Sequence, residues 1–488
     1  MAEEPRGSKT GDESQPWVSS AVLCLALSLS FTSTWLLNAV GYPAVDGFCP
    51  QGRLVAPLVG ALAAALFSLL SQNHPRLFTA PFTLWATLAG IVVSTAGIYL
   101  AVPVENGLLA GASLCVRWVA CVLRDIVLGF AIAGLGARRC ALVLVFAYLL
   151  RYVWAALLGC LPDEAQVAAF FCCAPVGLLL LWRQARPLLA RVEALGAPAS
   201  LRVTNPLSFL PSTGRMFGLI LLFHAALGFS TTFGSGSYVR GSIAAVVGLL
   251  ALFGVLAALV GAGVVRSADA LYAGSYLLAT AGFLLVPGLA GRGVFAHFWC
   301  NALCEAGSSL FSLALWYLVA RVGARSPAAM LPFVCMVRSA RGFGIALGTW
   351  GGVFANVLAF DRVESVSVFV AGVVFVFCAY NFLFARRFSF DAAAEGLAPL
   401  HEAPAVTEPS EEHAPAIERS CEAVAARCQL TARELDVLLL LARGRNAAYI
   451  QEELGLTRST AKSYVADVYR KLDVHSHQEL IDVVEGRE

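Results

Sequence analysis

The chain has 488 residues, of which 58% are hydrophobic and 14% charged, and its formal net charge is +2. A soluble domain carries about a quarter charged residues, so this composition excludes an ordinary soluble fold for most of the chain. The fourteen cysteines lie largely in apolar runs without paired spacing, which is typical of small buried hydrophobic side chains. We therefore expect a protein that is mostly embedded in a bilayer, without a metal, a cofactor or an enzymatic activity.

The membrane part begins after a short polar segment. Residues 1–16 are predicted to be disordered, and they lack the charge and cleavage pattern of a signal peptide. Apolar runs long enough to span a bilayer follow, and they predict an all-α domain of about twelve transmembrane helices over residues 17–387. The predicted spans are 18–40, 54–72, 79–102, 108–136, 141–161, 166–183, 216–235, 241–263, 270–288, 294–320, 329–356 and 366–385.

The distribution of basic residues between the spans indicates the orientation. If both termini are cytoplasmic, most Arg and Lys residues of the connecting segments lie inside, as the positive-inside rule requires. The longest connection, a basic cytoplasmic loop over residues 184–215, then separates six helices from six. This 6+6 plan resembles the architecture of the major facilitator transporter superfamily. We expect a multi-pass protein of the inner (cell) membrane.

Ionisable residues inside the predicted spans are the second informative feature, because burying charge in hydrocarbon is costly. Arginines outnumber acids among them, which favours a cavity for an anionic ligand such as a carboxylate. The alternative is a set of structural ion pairs, for example Asp125 or Glu305 with an arginine. The candidate cavity residues are Arg117, Arg124, Asp125, Arg151, His224, His297, Glu305, Arg338 and Arg341.

The composition changes near the end of the chain. Residues 388–427 are rich in Ala, Pro and Glu, which predicts a flexible linker with a short helix possible over 417–427. Residues 428–488 are polar and periodic and predict a four-helix domain. Thr431 and Glu434 form a capping box, in which each side chain satisfies a backbone donor at a helix start. A glycine turn at Gly455 then leads to a helix that opens with polar and basic residues, which is the layout of a helix-turn-helix.

This C-terminal segment resembles the DNA-binding domain of LuxR/NarL (FixJ)-type bacterial regulators. The resemblance is carried by Leu430-Thr431-x-Arg433-Glu434, Val437-Leu438, Ala442-x-Gly444, Ile450, Leu454, Thr460-x-Lys462, Val465 and Lys471-Leu472-x-Val474. It implies a recognition helix that contacts promoter DNA and a dimer contact on the last helix. The candidate DNA-binding residues are Thr457, Arg458, Ser459, Thr460, Lys462, Ser463, Tyr464 and Lys471, and the candidate dimer contacts are Leu480, Ile481 and Val484.

Together these features predict a membrane-anchored bacterial transcription regulator. Its partners would be promoter DNA, the lipid bilayer and an unknown small molecule, and it would form a homodimer on DNA. The alternatives are a secondary transporter of the major facilitator type with a regulatory cytoplasmic tail, and a membrane scaffold whose helical C-terminal bundle binds protein.

Overall fold

The protein divides into two compact units, Met1–Ala398 and Pro399–Glu488, and each is described by itself. The computed structural model describes residues 17–195, 213–233, 243–263, 267–289, 294–325, 327–361, 363–383, 389–390, 414–442, 454, 458–474, 479–480 and 483–484.

Twelve long helices form the described part of the first unit, which confirms the predicted number. They are α1 (Trp17–Leu36), α2 (Gly52–Asn73), α3 (Ala80–Ala101), α4 (Gly107–Ala133), α5 (Ala137–Gly159), α6 (Asp163–Leu195), α7 (Thr213–Thr232), α8 (Ile243–Gly261), α9 (Ala268–Leu289), α10 (Val294–Arg325), α11 (Pro327–Asp361) and α12 (Val363–Leu383).

Local sequence sets several helix boundaries. Thr79 caps α3 by accepting a hydrogen bond from the Phe82 N–H, and Asn106 caps α4 by accepting one from Leu109; both are residue types that favour this position. A π-helical segment, Leu37–Gly41, continues α1. Within the described residues, eight helices are long and apolar enough to cross a membrane. The protein is therefore a multi-pass membrane protein.

The connection between the two halves differs from the predicted loop over residues 184–215. Helix α6 continues to Leu195, so the first part of that segment is helical. The loop is predicted because charged residues end the apolar run at Arg183. A helix can nevertheless continue beyond the hydrocarbon core of the bilayer. Residues 196–212 lie outside the described residues.

Helices pack closely both within the second half and between the two halves. The α7–α11 contact is very close at Gly348, where a Cβ atom would overlap the carbonyl group of Ala225. A Cβ atom at Gly351, on the same helix, would meet only ordinary contacts, with Phe229 at 3.8 Å. Helix α11 also packs on α2 of the first half, and the Ser68 hydroxyl donates to the Pro332 carbonyl at 3.0 Å. Small residues at such positions let helix backbones approach.

Ser389 and Phe390, which follow α12 in the chain, are hydrogen-bonded to α9. Both carboxylate oxygens of Asp269 accept hydrogen bonds, one from the Ser389 hydroxyl at 2.5 Å and one from the Phe390 N–H at 2.6 Å. The Phe390 ring is buried against Tyr272 and Phe311.

The second unit contains three described helices around its own apolar core, α13 (Ala414–Arg427), α14 (Ala432–Ala442) and α15 (Arg458–Leu472). Buried Cys421 and Val424 place α13 in the same core as Val437 and Val468. The last fourteen residues of the predicted linker, 414–427, form a packed helix. It begins three residues before the short helix expected over 417–427, and it belongs to the core of the second unit. The helix predicted around Ile450 lies outside the described residues.

Candidate functional site: a membrane cavity and a nucleic-acid interface

A cavity of about 190 Å³ lies between the two halves of the first unit. A water molecule needs about 10–15 Å³ on the same measure, so the cavity has room for a small molecule. Its walls come from α1, α2, α4 and α5 of the first half and from α7, α8, α10 and α11 of the second. The residues that line the cavity include apolar and aromatic side chains, several hydroxyl groups and several arginines.

One wall of the cavity holds a buried charge cluster around Asp125. Its Oδ1 accepts from Arg124 Nη2 at 2.8 Å, and its Oδ2 lies 3.3 Å from Arg338 Nη1. Arg124 also donates to the hydroxyl groups of Ser33 and Thr34 on α1, both at 3.2 Å. Since Arg338 belongs to α11, this cluster joins the two halves of the membrane unit. The carboxylate is held by two guanidinium groups, which is how a buried charge is tolerated.

A second ion pair crosses between the halves. Arg151 on α5 donates through Nη2 to Glu305 Oε1 on α10 at 2.5 Å, and through Nη1 to the Ser309 hydroxyl at 3.3 Å. The Tyr152 hydroxyl is 2.7 Å from that of Ser309. The Arg151 guanidinium also lies over the Tyr152 ring, 4.9 Å from its centroid.

Two further cationic groups of the cavity lie against aromatic rings. Arg117 is buried, donates to the Thr95 hydroxyl at 2.9 Å and lies over Phe170. Arg53 lies over the Tyr42 ring at 4.5 Å and is bonded to Asp46 at 2.8 Å. Arginine stacks favourably on aromatic faces while its N–H edges remain available for acceptors.

The structure brings seven of the nine predicted residues together around the cavity, all except the two histidines. His224 is fully buried elsewhere, with Nδ1 at 2.8 Å from the Ile220 carbonyl and its ring beside Phe311. The prediction that His224 lines the cavity is therefore wrong. His297 lies on α10, but its side chain is outside the described residues. Asp125 and Glu305 form ion pairs, as the structural interpretation expects, and both also line the cavity; ligand binding stays a prediction.

Sequence reasoning missed Arg53 and the aromatic wall. Arg53 immediately precedes the predicted span 54–72 and is therefore not among the candidate cavity residues. The structure places it in the first turn of α2 and at the cavity. Tyr42 and Trp118 also line the cavity, and the Trp118 Nε1 donates to the Tyr42 hydroxyl at 2.8 Å. No sequence signal separates these aromatic residues from those that face lipid.

In the second unit, the predicted capping box is present. The Thr431 N–H donates to Glu434 Oε2 at 2.7 Å, and the Glu434 N–H donates to the Thr431 hydroxyl at 3.3 Å. The same Oε2 accepts from Lys471 Nζ at 2.6 Å. This hydrogen bond to the Lys471 ammonium lowers the pKa of Glu434 below its usual value.

Lys471 therefore ties α15 to α14 rather than extending toward a ligand. Its Nζ also lies 3.4 Å from the Gln429 carbonyl oxygen, and its side chain is 30% exposed. The prediction of Lys471 as a DNA contact is not supported by this geometry, because its ammonium group is already engaged on the domain's own surface.

Helix α15 carries most of the other candidate DNA contacts, and the structure describes the side chains of some of them. The apolar side of the helix buries Val468 and Leu472 in the domain core, and Tyr464 and Val465 pack against it partly exposed. Thr460 and Ser463 are exposed. Arg458, Ser459 and Lys462 lie on the same helix with side chains outside the described residues, and Thr457 is itself outside them.

Two of the predicted dimer contacts lie in the interior of the second unit and not on its surface. Leu480 and Val484 are 0% and 7% exposed, and both belong to the apolar core of the second unit. They pack within one chain and are not available to a partner, so this prediction is wrong for both residues. The third predicted contact, Ile481, lies outside the described residues.

The comparisons with known proteins first define the class of the C-terminal unit. Residues 428–484 match the family model "Bacterial regulatory proteins, luxR family". This unit is therefore a LuxR-type helix-turn-helix domain, which confirms the resemblance recognised in the sequence, and the membrane unit lies outside the match. The chain thus combines a regulator-type domain with a polytopic membrane unit.

Two curated regulatory proteins match short stretches of the chain. The HTH-type transcriptional activator RamA of Corynebacterium glutamicum is 43% identical over 54 residues, which are 11% of this chain and 19% of RamA. The uncharacterized response regulatory protein YgeK of Escherichia coli is 38% identical over 69 residues, which are 13% of this chain and 47% of YgeK. The chain therefore spans less than half the length of the curated relatives it matches.

The membrane unit is similar in fold to solved transporters. A bacterial homologue of the iron transporter ferroportin, in an outward-facing state, has a TM-score of 0.50 and 14% identity, covering 74% of this chain and 99% of that chain. This likeness confirms the predicted transporter-like fold. The major facilitator superfamily transporter FucP, in its outward conformation, has a TM-score of 0.45 and 12% identity, covering 74% of this chain and 98% of FucP.

Proposed function

We propose that this protein is a membrane-anchored transcription regulator. The LuxR-type domain binds promoter DNA, and the membrane unit senses a small anionic molecule that enters the cavity between its halves. The observation that carries the proposal is the presence, on one chain, of a LuxR-type helix-turn-helix domain and a membrane unit with an arginine-lined cavity.

Helix α15 supplies the DNA-binding surface in this proposal. Its apolar side is fixed in the core by Val468 and Leu472, while Thr460 and Ser463 remain exposed. Arg458 and Lys462 add cationic groups to the first two turns of the same helix. In a helix-turn-helix the N-terminal residues of the second helix contact base edges and phosphates in the major groove. We leave Lys471 out of this surface because its ammonium is bonded to Glu434.

The charge of the cavity supports an anionic ligand. Six arginines line it, against the carboxylates of Asp125 and Glu305. One of the six, Arg53, is balanced by Asp46, and the excess of cationic groups remains after each carboxylate has been paired. Guanidinium groups match carboxylate and phosphate oxygens in geometry as well as in charge.

The location and assembly follow from the DNA-binding role. A regulator that reads promoter DNA must have its C-terminal domain in the cytoplasm, so both termini are placed on the cytoplasmic side of the inner membrane. We propose that two copies bind DNA together, and that ligand binding changes the association of the membrane units and with it the local concentration of DNA-binding domains. The dimer surface does not include Leu480 or Val484, since these are buried within one chain.

The test is DNA binding by the full-length protein in detergent micelles, against DNA that flanks its own gene, over a series of salt concentrations. We expect saturable binding that prefers certain sequences and weakens steeply with salt, because phosphate contacts release counterions. An unrelated duplex of equal length is the control. Equal affinity for both duplexes, or no binding, would remove the regulator assignment.

The second candidate is a secondary transporter with a regulatory tail, which the fold likeness to a ferroportin homologue favours. The ion pairs of the cavity weigh against proton coupling, because Asp125 and Glu305 are both held by guanidinium groups. A proton carrier must release and regain its proton in each cycle. Substrate uptake into vesicles that persists after removal of residues 399–488 would favour the transporter.

A further inference from the structure

The charge of the cavity is not spread evenly over its wall. The pair of Arg151 and Glu305 is balanced, one cation against one carboxylate. The cluster around Asp125 is not balanced, because Arg124 and Arg338 share this single carboxylate and Arg341 lines the cavity without an ion pair among the described residues. These three cations and one anion leave two positive charges in excess around Asp125. Arg117, which is buried over Phe170, adds one more cation to the cavity.

Two of these arginines are placed to act together. Arg338 and Arg341 are three residues apart on α11, so they share one helix face. Arg338 is 5% exposed and uses Nη1 for Asp125, while its Nε is buried without a hydrogen-bond acceptor. The Nε of Arg341 is also buried without an acceptor, and within the described part of the chain Arg341 makes no hydrogen bond or ion pair.

Unpaired guanidinium groups of this kind are costly inside a membrane domain. A buried N–H without an acceptor loses its hydration without a replacement, and two neighbouring cations repel each other strongly in a medium of low dielectric constant. A bound anion with two negative charges would balance the excess around Asp125 and supply acceptors to the two guanidinium groups that line the cavity. An anion with one charge would leave half of the excess uncompensated.

We infer that the cavity binds a divalent oxyanion, either a dicarboxylate or a phosphate, through Arg338 and Arg341. This inference rests on the proposed sensing function and specifies the ligand class of that site. Arg338 keeps its contact with Asp125 and offers its remaining N–H edge, and Arg341 offers a whole guanidinium fork. The balanced pair of Arg151 and Glu305 then contributes to the packing of the two halves and not to recognition of the anion.

The experiment is thermal unfolding of the full-length protein in detergent, followed by the fluorescence of its tryptophans, with sodium succinate, phosphate, acetate or chloride at matched ionic strength. A ligand that binds only the folded state raises the melting temperature. We expect succinate or phosphate to raise it and to bind at least about tenfold more tightly than acetate, since the second negative charge makes a further charge-assisted hydrogen bond. A response to succinate alone identifies a dicarboxylate site, and a response to phosphate alone a phosphate site.

Arg341→Gln is the decisive variant. We expect it to lose the stabilisation by the divalent anion without a lower melting temperature in chloride, because the substitution removes an uncompensated charge. Arg138→Gln, at an exposed position in the first turn of α5, is the matched control and should respond like the parent protein. Equal effects of acetate and succinate, no effect of any anion, or an unchanged response of Arg341→Gln would each overturn the inference.

DNA binding by the same preparations separates this inference from the proposed function. Stabilisation by a divalent anion without sequence-preferring DNA binding supports the anion site and removes the regulator. Sequence-preferring DNA binding without any anion effect supports the regulator and removes the anion site.

Discussion

The tie between Lys471 and Glu434 gives the sharpest test of the C-terminal domain. One carboxylate oxygen of Glu434 accepts hydrogen bonds from the Thr431 N–H, the Thr431 hydroxyl and the Lys471 ammonium. Replacing Glu434 by Ala removes all three, but the backbone N–H of residue 434 can still donate to the Thr431 hydroxyl. Replacing Lys471 by Met removes one of them and keeps the aliphatic part of the side chain.

The two substitutions should therefore differ in magnitude. A buried hydrogen bond to a charged group contributes about 1.5–3 kcal/mol and an ordinary one about 0.5–1.5 kcal/mol, so we expect the hydrogen bonds lost in Glu434→Ala to cost about 2–4 kcal/mol. The Lys471 side chain is 30% exposed, so solvent screens its ion pair. A loss of about 0.5–1 kcal/mol is expected for Lys471→Met, toward the upper end of exposed pairs.

The assay is urea unfolding of residues 414–488, which have their own apolar core, followed by circular dichroism of the helices. DNA affinity is measured under conditions in which each variant is folded. Lys471→Met should keep the parent affinity and its salt dependence, since its ammonium is bonded within the domain. If Lys471→Met weakens DNA binding and flattens the salt dependence while stability is unchanged, Lys471 contacts phosphate and the reasoning from this geometry is refuted.

Three further outcomes are expected. Lys462→Ala should weaken DNA binding and reduce the salt slope by about one, as for loss of one phosphate contact; an unchanged slope contradicts the placement of the recognition helix. The pKa of Glu434 is lowered in the folded domain, so its stabilisation is present above the unfolded value of about 4.3 and is lost as pH falls through the folded value. Urea unfolding should show a weaker acid dependence in Glu434→Gln. Gly348→Val should lower the melting temperature of the membrane unit, whereas Gly351→Ala should not, since only the first position meets a neighbouring backbone.

Local signals in the sequence predicted local structure well. The twelve apolar runs gave the twelve helices, and the spacing of Thr431 and Glu434 gave the capping box, because both depend on residues close in the chain. The motif from Leu430 to Val474 gave the class of the C-terminal domain for the same reason.

Contacts between residues that are distant in the chain could not be predicted from the sequence. The charged residues of the spans were identified, but nothing in their spacing pairs Asp125 with Arg338 or Arg151 with Glu305. The apolar stripe of Leu480 and Val484 fits a dimer surface and an internal core equally well. Periodicity predicts that one helix face is buried, but it does not identify the surface that covers this face. In the same way, Lys471 was assigned to DNA by its charge before its partner Glu434 was known.

The two ion pairs between the halves have a consequence for the motion of the membrane unit. Arg338 and Asp125 join α11 to α4, and Arg151 and Glu305 join α10 to α5. Separation of the halves would break both pairs. Asp125 would keep Arg124 on its own helix, but Arg338, Arg151 and Glu305 would lose their charged partners at low dielectric constant, which costs several kcal/mol. The closed arrangement is therefore favoured until water or a bound ligand takes the place of these partners.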